Sequence, residues 1–381
     1  MKILFVTDHT YPPHRVGGAE SSTHELALTL QENGVEVAVL AAMPVAPPRF
    51  VPRRLLRRVP RHARPRVDRA MGYAVFRSRE PARAAGETLE QFRASAVVVT
   101  SGTYAPLTQA FLRRGLPTVV YLRDVEIANM GGALPRERLV TYISNSQFNA
   151  ARVAAVAGVE AEVIPPLVRP ERYRRDTTRT RVLFVNPVPE KGVDVAFRLA
   201  AARPDIPFDF VECWPLGADT RNRLLRRARG LANVAWHPVD CDSKSLYRHA
   251  RIVLVPSVWE ESWCRVVTEA HCSGIPALAS DRGGLPESVG PGGMLVDHDA
   301  PFEHWRTALS CMWDDPAAYE TLADSARRHS ERPEIQPAVL VDRFVAAVSA
   351  HVGRCAREPG HVRRHQPLLR TVQKALSTVR S

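Results

Sequence analysis

Short apolar runs that end in polar turns alternate along the chain with segments of helical periodicity. KILFVTD (2–8) and VEVAVLAA (35–42) flank a Pro- and Gly-containing loop and the helix-like segment SSTHELALTLQENG (21–34). Runs this apolar are typical of strands buried on both faces of a parallel sheet. A strand, a loop, a helix and a strand in this order predict a right-handed βαβ unit.

The same alternation continues to about residue 165. A helix is predicted over 146–158. Residues 164–180 are rich in Pro and charge and lack periodicity, which predicts a hinge. Further strands of the first sheet are predicted at SAVVVTSG, PTVVYLRD, TYISNS and AEVIPPL.

The pattern restarts at RVLFVNP (181–187), and strands and helices alternate again as far as IPALAS (275–280). We therefore predict two Rossmann-like, doubly wound α/β halves that face a central cleft: a domain over 1–174 and a second over 175–345. A C-terminal helix and basic tail over 346–381 are expected to pack back toward the first domain. Ligands of such sheets bind beyond the carboxyl ends of the strands, so the loops after KILFVTD, RVLFVNP and RIVLVPS should line the cleft.

The composition agrees with a two-domain protein, and the chain carries a marked excess of positive charge. The chain has 381 residues, of which 45% are apolar, and a net charge of +12. A basic balance favours anionic partners. Much of the excess lies in residues 49–69 and 363–380; the first stretch interleaves basic and apolar residues, which suits an acidic membrane surface or a solvated loop. No nucleic-acid partner is expected, because no recognised nucleic-acid module is present.

Membrane spans and cysteines bear on location. No apolar run approaches the length of about 18 residues that a transmembrane helix needs. The six cysteines show neither CxxC pairs nor zinc-ligand spacing, so we expect buried free thiols in a reducing compartment. A cytoplasmic location follows, with peripheral contact to membrane left open. The richness in Arg, Ala and Pro suggests a bacterial source.

Two glutamates stand near the start of a helix predicted in the second half. Glu261 follows the strand RIVLVPS, and Glu269 is expected about two turns inside the helix. A helix N-terminus offers free N–H groups and a positive dipole end to phosphate, and carboxylates accept hydrogen bonds from hydroxyls. Phosphate together with hydroxyls describes a nucleotide sugar. The alternative is that both glutamates are ordinary helix charges.

The residues around this pair favour the first interpretation. The segment begins with PS (256–257), and seven residues separate Glu261 from the EA that starts at Glu269. The motifs SGIPALAS, RGGLPE and GGMLVD follow in that order. This order resembles the nucleotide-binding half of retaining GT-B glycosyltransferases of family 4 (group 1), and VGGAE, PEKGVD and ISNSQF extend the resemblance over most of residues 1–345. It implies the GT-B fold and a retaining, metal-independent transfer of a sugar from a nucleotide diphosphate sugar to a hydroxyl of a glycan, glycolipid or metabolite. No cofactor is implied.

The resemblance also implies roles for residues of the second half. Glu269 would accept hydrogen bonds from the ribose, and Glu261 would orient the transferred sugar. Ser262 would lie beside them, with the backbone amides of Trp263 and Cys264 facing the sugar and diphosphate.

Lys191, in PEKG, would stabilise the diphosphate leaving group. Asn186 would lie near the base. In the first half, Gly17 and Gly18 would let the backbone approach the donor. No metal is implied, because lysine and the helix N-terminus supply the positive charge.

Three positions depart from the family pattern. Asn186-Pro187 replaces a usual Gly-Arg, so one phosphate contact is missing, and Arg265 or Arg282 is expected to compensate. Cys264 replaces a glycine, as either a reactive thiol or a packing residue. Arg123-Asp124 replaces a usual His-Asp, and Arg123 would bind an anionic group of a substrate or pair with Asp124 or Glu126.

These departures keep two other functions open: a catalytically silent nucleotide-sugar-binding or scaffolding relative, and a nucleotide-sugar epimerase.

Asp240 and Asp242 form a DxD pattern, which in GT-A enzymes binds manganese, but an N-cap is the better interpretation here. Trp214 and Trp236 are interpreted as core residues.

Overall fold

The computed structural model describes residues 1–14, 17–44, 64–214, 216–238 and 243–357. Most of the basic stretch 49–69, both aspartates of the DxD pattern and the tail beyond residue 357 therefore lie outside the described residues. The chain divides into two compact units. The N-terminal unit comprises Met1–Asn145, Asn149–Ile164 and the chain from Ala338, and the C-terminal unit comprises Pro165–Pro337 with Ser146–Phe148.

The N-terminal unit is built on an eight-stranded sheet in the order β3-β4-β2-β1-β5-β6-β7-β8. Its pairings are parallel except that of β3 with β4. The direction of chain progression reverses between β1 and β5, which makes this a doubly wound sheet. The strands are β1 Lys2–Thr10, β2 Glu36–Ala42, β3 Arg66–Asp68, β4 Ala74–Ser78, β5 Ala96–Ser101, β6 Thr118–Leu122, β7 Val140–Ser144 and β8 Glu162–Val163.

Helices cover this sheet because its central strands are apolar on both faces. Leu4 and Val6 pack in one core cluster with Phe111, and Phe5 between them points to the opposite face. The helices that precede the second unit are α1 Gly18–Glu32, α2 Pro81–Phe92, α3 Tyr104–Leu112 and α4 Gln147–Ala157, with a 3₁₀ turn at Ile127–Met130.

The C-terminal unit repeats the design with six strands, all paired in parallel, in the order β11-β10-β9-β12-β13-β14. Here the reversal falls between β9 and β12. The strands are β9 Arg181–Val185, β10 Phe208–Val211, β11 Val234–His237, β12 Ala250–Val255, β13 Ala277–Asp281 and β14 Gly293–Asp297.

Both faces of the second sheet are also buried. Phe184 packs against Phe197 and Phe210 in one cluster, while the neighbouring Leu183 packs with Val267 in another. The helices are α5 Pro170–Tyr173, α6 Val193–Ala202, α7 Ala218–Arg229, α8 Ser243–Leu246, α9 Arg265–His271, α10 Leu285–Val289, α11 Phe302–Asp314, α12 Pro316–Ser330 and α13 Pro337–Arg357, with 3₁₀ turns at Pro189–Lys191 and Pro333–Ile335. Two Rossmann-like units confirm the predicted fold class.

The segment predicted as a hinge, 164–180, belongs almost entirely to the C-terminal unit. Tyr173 is buried, and Arg265 donates to the carbonyl oxygen of Leu167 at 2.6 Å and to the Tyr173 hydroxyl at 2.9 Å. The change of unit therefore falls at Ile164/Pro165 rather than at the predicted residue 174.

The C-terminal helix α13 belongs to the N-terminal unit and begins at Pro337, nine residues before the predicted 346. Phe344 on this helix stacks on Phe5 of β1, with ring centroids 6.0 Å apart. It thereby covers the sheet face opposite the cluster of Leu4 and Val6. Among the helices of the described ranges, none combines the length and apolar character needed to cross a membrane.

The cysteines depart from the expectation of buried free thiols. Cys264, Cys272 and Cys355 are free and buried, whereas Cys311 is free and exposed. Cys213, in the loop that leaves β10, is disulfide-bonded.

Candidate functional site

The carboxyl ends of β9 and β12 lie side by side where the order of the second sheet reverses, the place where open α/β sheets bind ligands. A small cavity of about 30 Å³ opens there. Its polar lining comes from the loops that follow these two strands, and includes Asn186, Lys191, Ser257 and Glu261. All of these residues belong to the C-terminal unit.

The loop that carries Lys191 packs closely against the loop after β12 and is hydrogen-bonded to it. Gly192 has φ +76°, and a Cβ there would collide with the carbonyl oxygen of Pro256. The Glu190 carbonyl accepts hydrogen bonds from the backbone N–H groups of Val258 at 3.0 Å and Trp259 at 3.3 Å. The PEKG turn therefore needs its glycine for close backbone packing, and this packing sets the position of Lys191.

Lys191 and Glu261, two of the predicted site residues, form an ion pair. Their side chains are only 14% and 9% exposed. The Ser257 hydroxyl donates to the same carboxylate oxygen, Oε1, at 2.8 Å. Oε2 of Glu261 has no hydrogen bond within the described part of the chain, which leaves it available to a hydroxyl group.

Two tryptophans, neither of them predicted at this site, surround the same lysine. The Lys191 ammonium lies 4.9 Å from the ring centroid of Trp259 and 5.2 Å from that of Trp214. Trp214 is half-buried rather than a core residue. The two tryptophans belong to loops that are distant along the chain, so the sequence carried no signal that the two rings meet at Lys191.

The two glycines of RGGLPE pack against the backbone of the loop that carries Glu261. The N–H of Gly284 donates to the Glu261 carbonyl at 2.7 Å. A Cβ on Gly284 would lie 2.5 Å from the Ser262 carbonyl oxygen, and one on Gly283 would lie 2.6 Å from that of Glu261. Arg282 precedes them at the end of β13, and its buried Nε has no hydrogen-bond partner among the described residues.

Helix α9 is shorter and begins later than expected. It starts at Arg265, with Cys264 as the extended residue before it, and it has seven residues. Glu269 is therefore its fifth residue, just over one turn inside rather than two, and Glu261 lies in the preceding loop. So short a helix has a small dipole, and side chains must supply most of the positive charge at this site.

Glu269 is paired with Arg265, one turn earlier on the same helix. Arg265 Nε donates to Glu269 Oε1 at 2.9 Å, and the Tyr247 hydroxyl donates to Oε2 at 2.7 Å. The remaining guanidinium nitrogens bind Leu167 and Tyr173. The expectation that Arg265 compensates for the missing phosphate contact is therefore not supported by these contacts, and Arg282 is left as the candidate.

Cys264 and Trp263 are packing residues of this loop. Burial, reinforced by the charge of Glu261, raises the pKa of the Cys264 thiol to about 12. A thiol with this pKa is protonated at neutral pH, which favours the packing interpretation over a reactive one. The Trp263 indole donates to Thr268 at 3.0 Å.

Asn186, predicted near the base, has a local structural task. Its φ of +60° is left-handed, a conformation that asparagine adopts more readily than most residues. Its Oδ1 accepts the backbone N–H groups of Cys213 at 3.0 Å and Trp214 at 2.8 Å. Asparagine can thus replace the usual glycine here, and it also holds the loop of Trp214.

The predicted residues of the N-terminal unit lie at the start of α1 and the end of β6. Gly17 is the residue before the helix, and a Cβ there would lie 2.5 Å from a carboxylate oxygen of Glu20. Gly18 is exposed and begins the helix. The glycine at 17 therefore makes room for a carboxylate of its own chain.

Arg123 is buried beneath that helix start. Its NH1 donates to the Ala19 carbonyl and to the Thr23 hydroxyl, both at 2.7 Å, and its guanidinium lies 4.0 Å from the Tyr121 ring centroid. These contacts fasten α1 to β6, so they support a structural task for Arg123 rather than the predicted binding of an anionic group of a substrate.

Asp124, which the sequence analysis named beside Arg123, and three polar residues that it did not single out (His9, Glu20 and Tyr104) surround this point. Asp124 accepts the Tyr104 hydroxyl at 2.7 Å, and burial raises the pKa of its carboxyl. His9, at the end of β1, lies 3.4 Å from Glu20. Only the folded sheet brings these residues together, since they come from four separate elements.

Family comparisons agree with this architecture. A model described as Glycosyltransferase Family 4 matches residues 16–172, and one described as Glycosyl transferases group 1 matches residues 179–315. The two matches correspond closely to the two units.

Curated relatives carry the name D-inositol 3-phosphate glycosyltransferase. The chain is 31% identical to that of Paenarthrobacter aurescens over 194 residues, 46% of this chain and 47% of the relative. It is 41% identical to that of Salinispora arenicola over 166 residues, 39% of this chain and 37% of the relative. The chain spans half or less of the length of these relatives.

Solved structures match at low identity over nearly the whole chain. A glycosyltransferase from Rickettsia africae has a TM-score of 0.71 at 13% identity, covering 92% of this chain and 98% of its own. Anabaena HepE in complex with UDP-glucose has a TM-score of 0.69 at 18% identity, covering 92% and 100%. The chain therefore carries a domain of Glycosyltransferase Family 4 followed by a domain of Glycosyl transferases group 1, and its two-unit fold is that of these solved glycosyltransferases.

Proposed function

We propose that this protein transfers a sugar from a nucleotide diphosphate sugar to an acceptor hydroxyl, with retention of configuration and without a metal ion. The observation that carries the proposal is the arrangement of Lys191, Glu261 and Ser257 around the cavity between the ends of β9 and β12. A cation and a carboxylate with a spare oxygen match the two chemical parts of such a donor, the diphosphate and the sugar.

The diphosphate needs positive charge as its bond to the sugar breaks. Lys191 supplies one cation at the cavity wall. Arg282, whose buried Nε has no partner among the described residues, supplies the second in place of the arginine that Pro187 displaces. Fixed cations of this kind stabilise the leaving group in the transition state.

The sugar and the ribose are assigned to the two glutamates. Oε2 of Glu261 accepts a hydroxyl of the transferred sugar. Both oxygens of Glu269 already bind Arg265 and Tyr247, but each carboxylate oxygen has a second lone pair that can accept a ribose hydroxyl. The hydrogen bond from Arg265 fixes the orientation of the Glu269 carboxylate.

The transfer itself needs no strong protein base. The acceptor oxygen attacks the anomeric carbon on the face from which the diphosphate departs, and the hydroxyl proton passes to the departing phosphate oxygen. One C–O bond forms and one breaks on the same face of the anomeric carbon, so the configuration is retained. The acceptor is assigned to the N-terminal unit, and the names of the curated relatives make an inositol phosphate the first acceptor to assay.

The test begins with a thermal-shift screen of UDP-, GDP-, ADP- and TDP-sugars, in which one donor class should raise Tm selectively. With that donor, Glu261→Gln should lower kcat/KM by roughly 10²- to 10³-fold, the range for loss of one transition-state contact. Glu303→Gln, at a side chain 62% exposed, is the control and should transfer at the wild-type rate. EDTA should not change turnover, and NMR of the product should show the donor's anomeric configuration.

Failure of every donor to raise Tm, or wild-type transfer by Glu261→Gln, would contradict the proposal. Inverted configuration in the product would reject the retaining mechanism while leaving the transfer itself in place.

A further inference from the structure

The two tryptophans around Lys191 form an aromatic cage in the C-terminal unit. The ring centroids of Trp214 and Trp259 are 6.2 Å apart and the rings are inclined at 62°. The Lys191 ammonium lies within about 5 Å of both centroids, inside the range of about 6 Å in which a cation interacts favourably with an indole face. Trp259 and Trp214 come from different loops, so the cage exists only in the folded unit.

Each ring is anchored to the loops that present Lys191. The backbone N–H of Trp214 is held by the Oδ1 of Asn186 at 2.8 Å. That of Trp259 donates to the carbonyl of Glu190, the residue before the lysine, at 3.3 Å. These bonds fix the backbone of both tryptophans relative to the segment that carries Lys191.

An aromatic face stabilises a cation in a different way from a carboxylate. Glu261 holds Lys191 but also cancels its charge, so the pair as a whole attracts a diphosphate weakly. The indole rings hold the ammonium and leave its full charge in place. When sugar hydroxyls engage Glu261, an ammonium held by the rings stays in the same place.

We propose that Trp214 and Trp259 are positioning residues that hold the Lys191 ammonium while it changes partner from Glu261 to the donor diphosphate. This inference rests on the proposed function. It also explains the buried indole Nε1 of Trp259, which has no hydrogen-bond partner among the described residues. An unpaired buried N–H is costly, and an oxygen of the bound donor would satisfy it.

The chain is well suited to a direct test, because its only lysines are Lys2, Lys191, Lys244 and Lys374. Reductive methylation with ¹³C-formaldehyde keeps the positive charge and gives few methyl signals, and loss of one signal in Lys191→Arg assigns Lys191. Ring currents from the two indoles should shift the Lys191 signal away from those of the other lysines. Trp214→Leu and Trp259→Leu should each move it toward the ordinary position, whereas Trp313→Leu, elsewhere in the same unit, should not.

Two probes then test the change of partner: UDP-glucose and inorganic pyrophosphate. Both should move the Lys191 methyl signal in the wild-type protein. With the donor class that raises Tm, each Trp→Leu variant should lower kcat/KM by roughly 2- to 30-fold, the range for a cation–π contact. Trp→Phe at the same positions should recover part of the loss, since a smaller aromatic face remains. Unchanged Tm values would show that these variants are folded.

The outcomes separate this inference from the proposed function. A Lys191 signal at the ordinary lysine position, unaffected by either Trp→Leu change, would overturn the cage even if a donor raises Tm. A ring-shifted signal that neither UDP-glucose nor pyrophosphate moves would overturn the transfer of Lys191 to a diphosphate, and with it the donor role assigned to this cavity.

Discussion

Arg265 and Glu269, one helical turn apart on α9, are bound to each other: Nε lies 2.9 Å from Oε1, and their side chains are only 6% and 11% exposed. The sequence assigned each of them to a different part of a ligand. Arg265 also binds Leu167 and Tyr173, so the pair fastens the segment after Ile164 to the helix. A residue near a binding site can thus be required by the scaffold that holds the site.

Arg265→Met should destabilise the protein by about 3–5 kcal/mol, because it leaves the Glu269 carboxylate buried without its cation. The double variant Arg265→Met/Glu269→Gln should recover a large part of this loss, since it removes the unpaired charge as well. Denaturant unfolding of the wild type, both single variants and the double variant measures the coupling. Weaker donor binding by Arg265→Met at unchanged stability would instead indicate that Arg265 binds the diphosphate.

Gly284→Ala should disturb the loop of Glu261. The backbone of Gly284 has φ −86°, which alanine can adopt, so the effect is steric: the new Cβ would lie 2.5 Å from the Ser262 carbonyl oxygen. We expect a destabilisation of about 1–3 kcal/mol, typical of overpacking, together with weaker donor binding.

Gly353→Ala, inside α13, is the matched control. Its Cβ would meet only the end of the Arg357 side chain at 3.7 Å, and alanine in a helix interior should stabilise the protein by about 0.5–1 kcal/mol. Equal stability of the two variants in urea unfolding would contradict the steric account.

His271 should make the protein sensitive to acid. Burial, helped by the charges of His329 and Arg332, lowers the pKa of His271 to about 3. Burial likewise lowers the pKa of His329 to about 4. Their rings are in contact, with centroids 5.8 Å apart. Both imidazoles are therefore neutral in the folded protein over most of the pH range.

The direction in which the free energy of unfolding changes with pH follows from proton binding by the two histidines. An unfolded histidine takes up a proton near pH 6.5, whereas these two do so in the folded state only near pH 3 to 4. Between these limits the unfolded chain binds more protons, so the free energy of unfolding falls as the pH falls. For His271 alone the loss should reach roughly 2–3 kcal/mol by pH 4.5.

Urea unfolding of the wild type and His271→Leu at pH 7, 6, 5 and 4.5 measures this effect. The difference in free energy of unfolding between the two proteins should change with pH in favour of the variant as the solution is acidified. A difference that does not change with pH would show that His271 is not the acid-sensitive group.

Cys264 should be unreactive in the folded protein. Its pKa near 12 leaves almost no thiolate at pH 8, and the thiolate is the form that alkylating agents attack. The exposed Cys311 should react instead. Iodoacetamide labelling followed by peptide mass spectrometry should find Cys311 modified at once and Cys264 only after denaturation, with Cys311→Ser as the control. Rapid modification of native Cys264 would revive the reactive interpretation.

The sequence was most informative where the signal is local. Apolar runs such as KILFVTD and RVLFVNP predicted β1 and β9, because strands buried on both faces must be apolar throughout. Strands β3 and β4 were missed: Arg66–Asp68 is exposed and polar, and Ala74–Ser78 contains Arg77, whose charge is compensated by Asp68. A buried arginine inside a five-residue strand hides the apolar pattern by which a strand is predicted.

The order of secondary structure, the two doubly wound units and the candidate pair Lys191 and Glu261 followed from the sequence, because hydrophobic periodicity and short motifs are properties of neighbouring residues. The side chains that bind or surround these charged and polar residues did not follow from the sequence. Arg265 binds Glu269, Asn186 holds Trp214, and two indole rings enclose Lys191, and each of these contacts joins side chains whose distance is set by packing of the whole unit. Tertiary structure alone decided which of the predicted site residues face the cavity and which ones hold the scaffold in place.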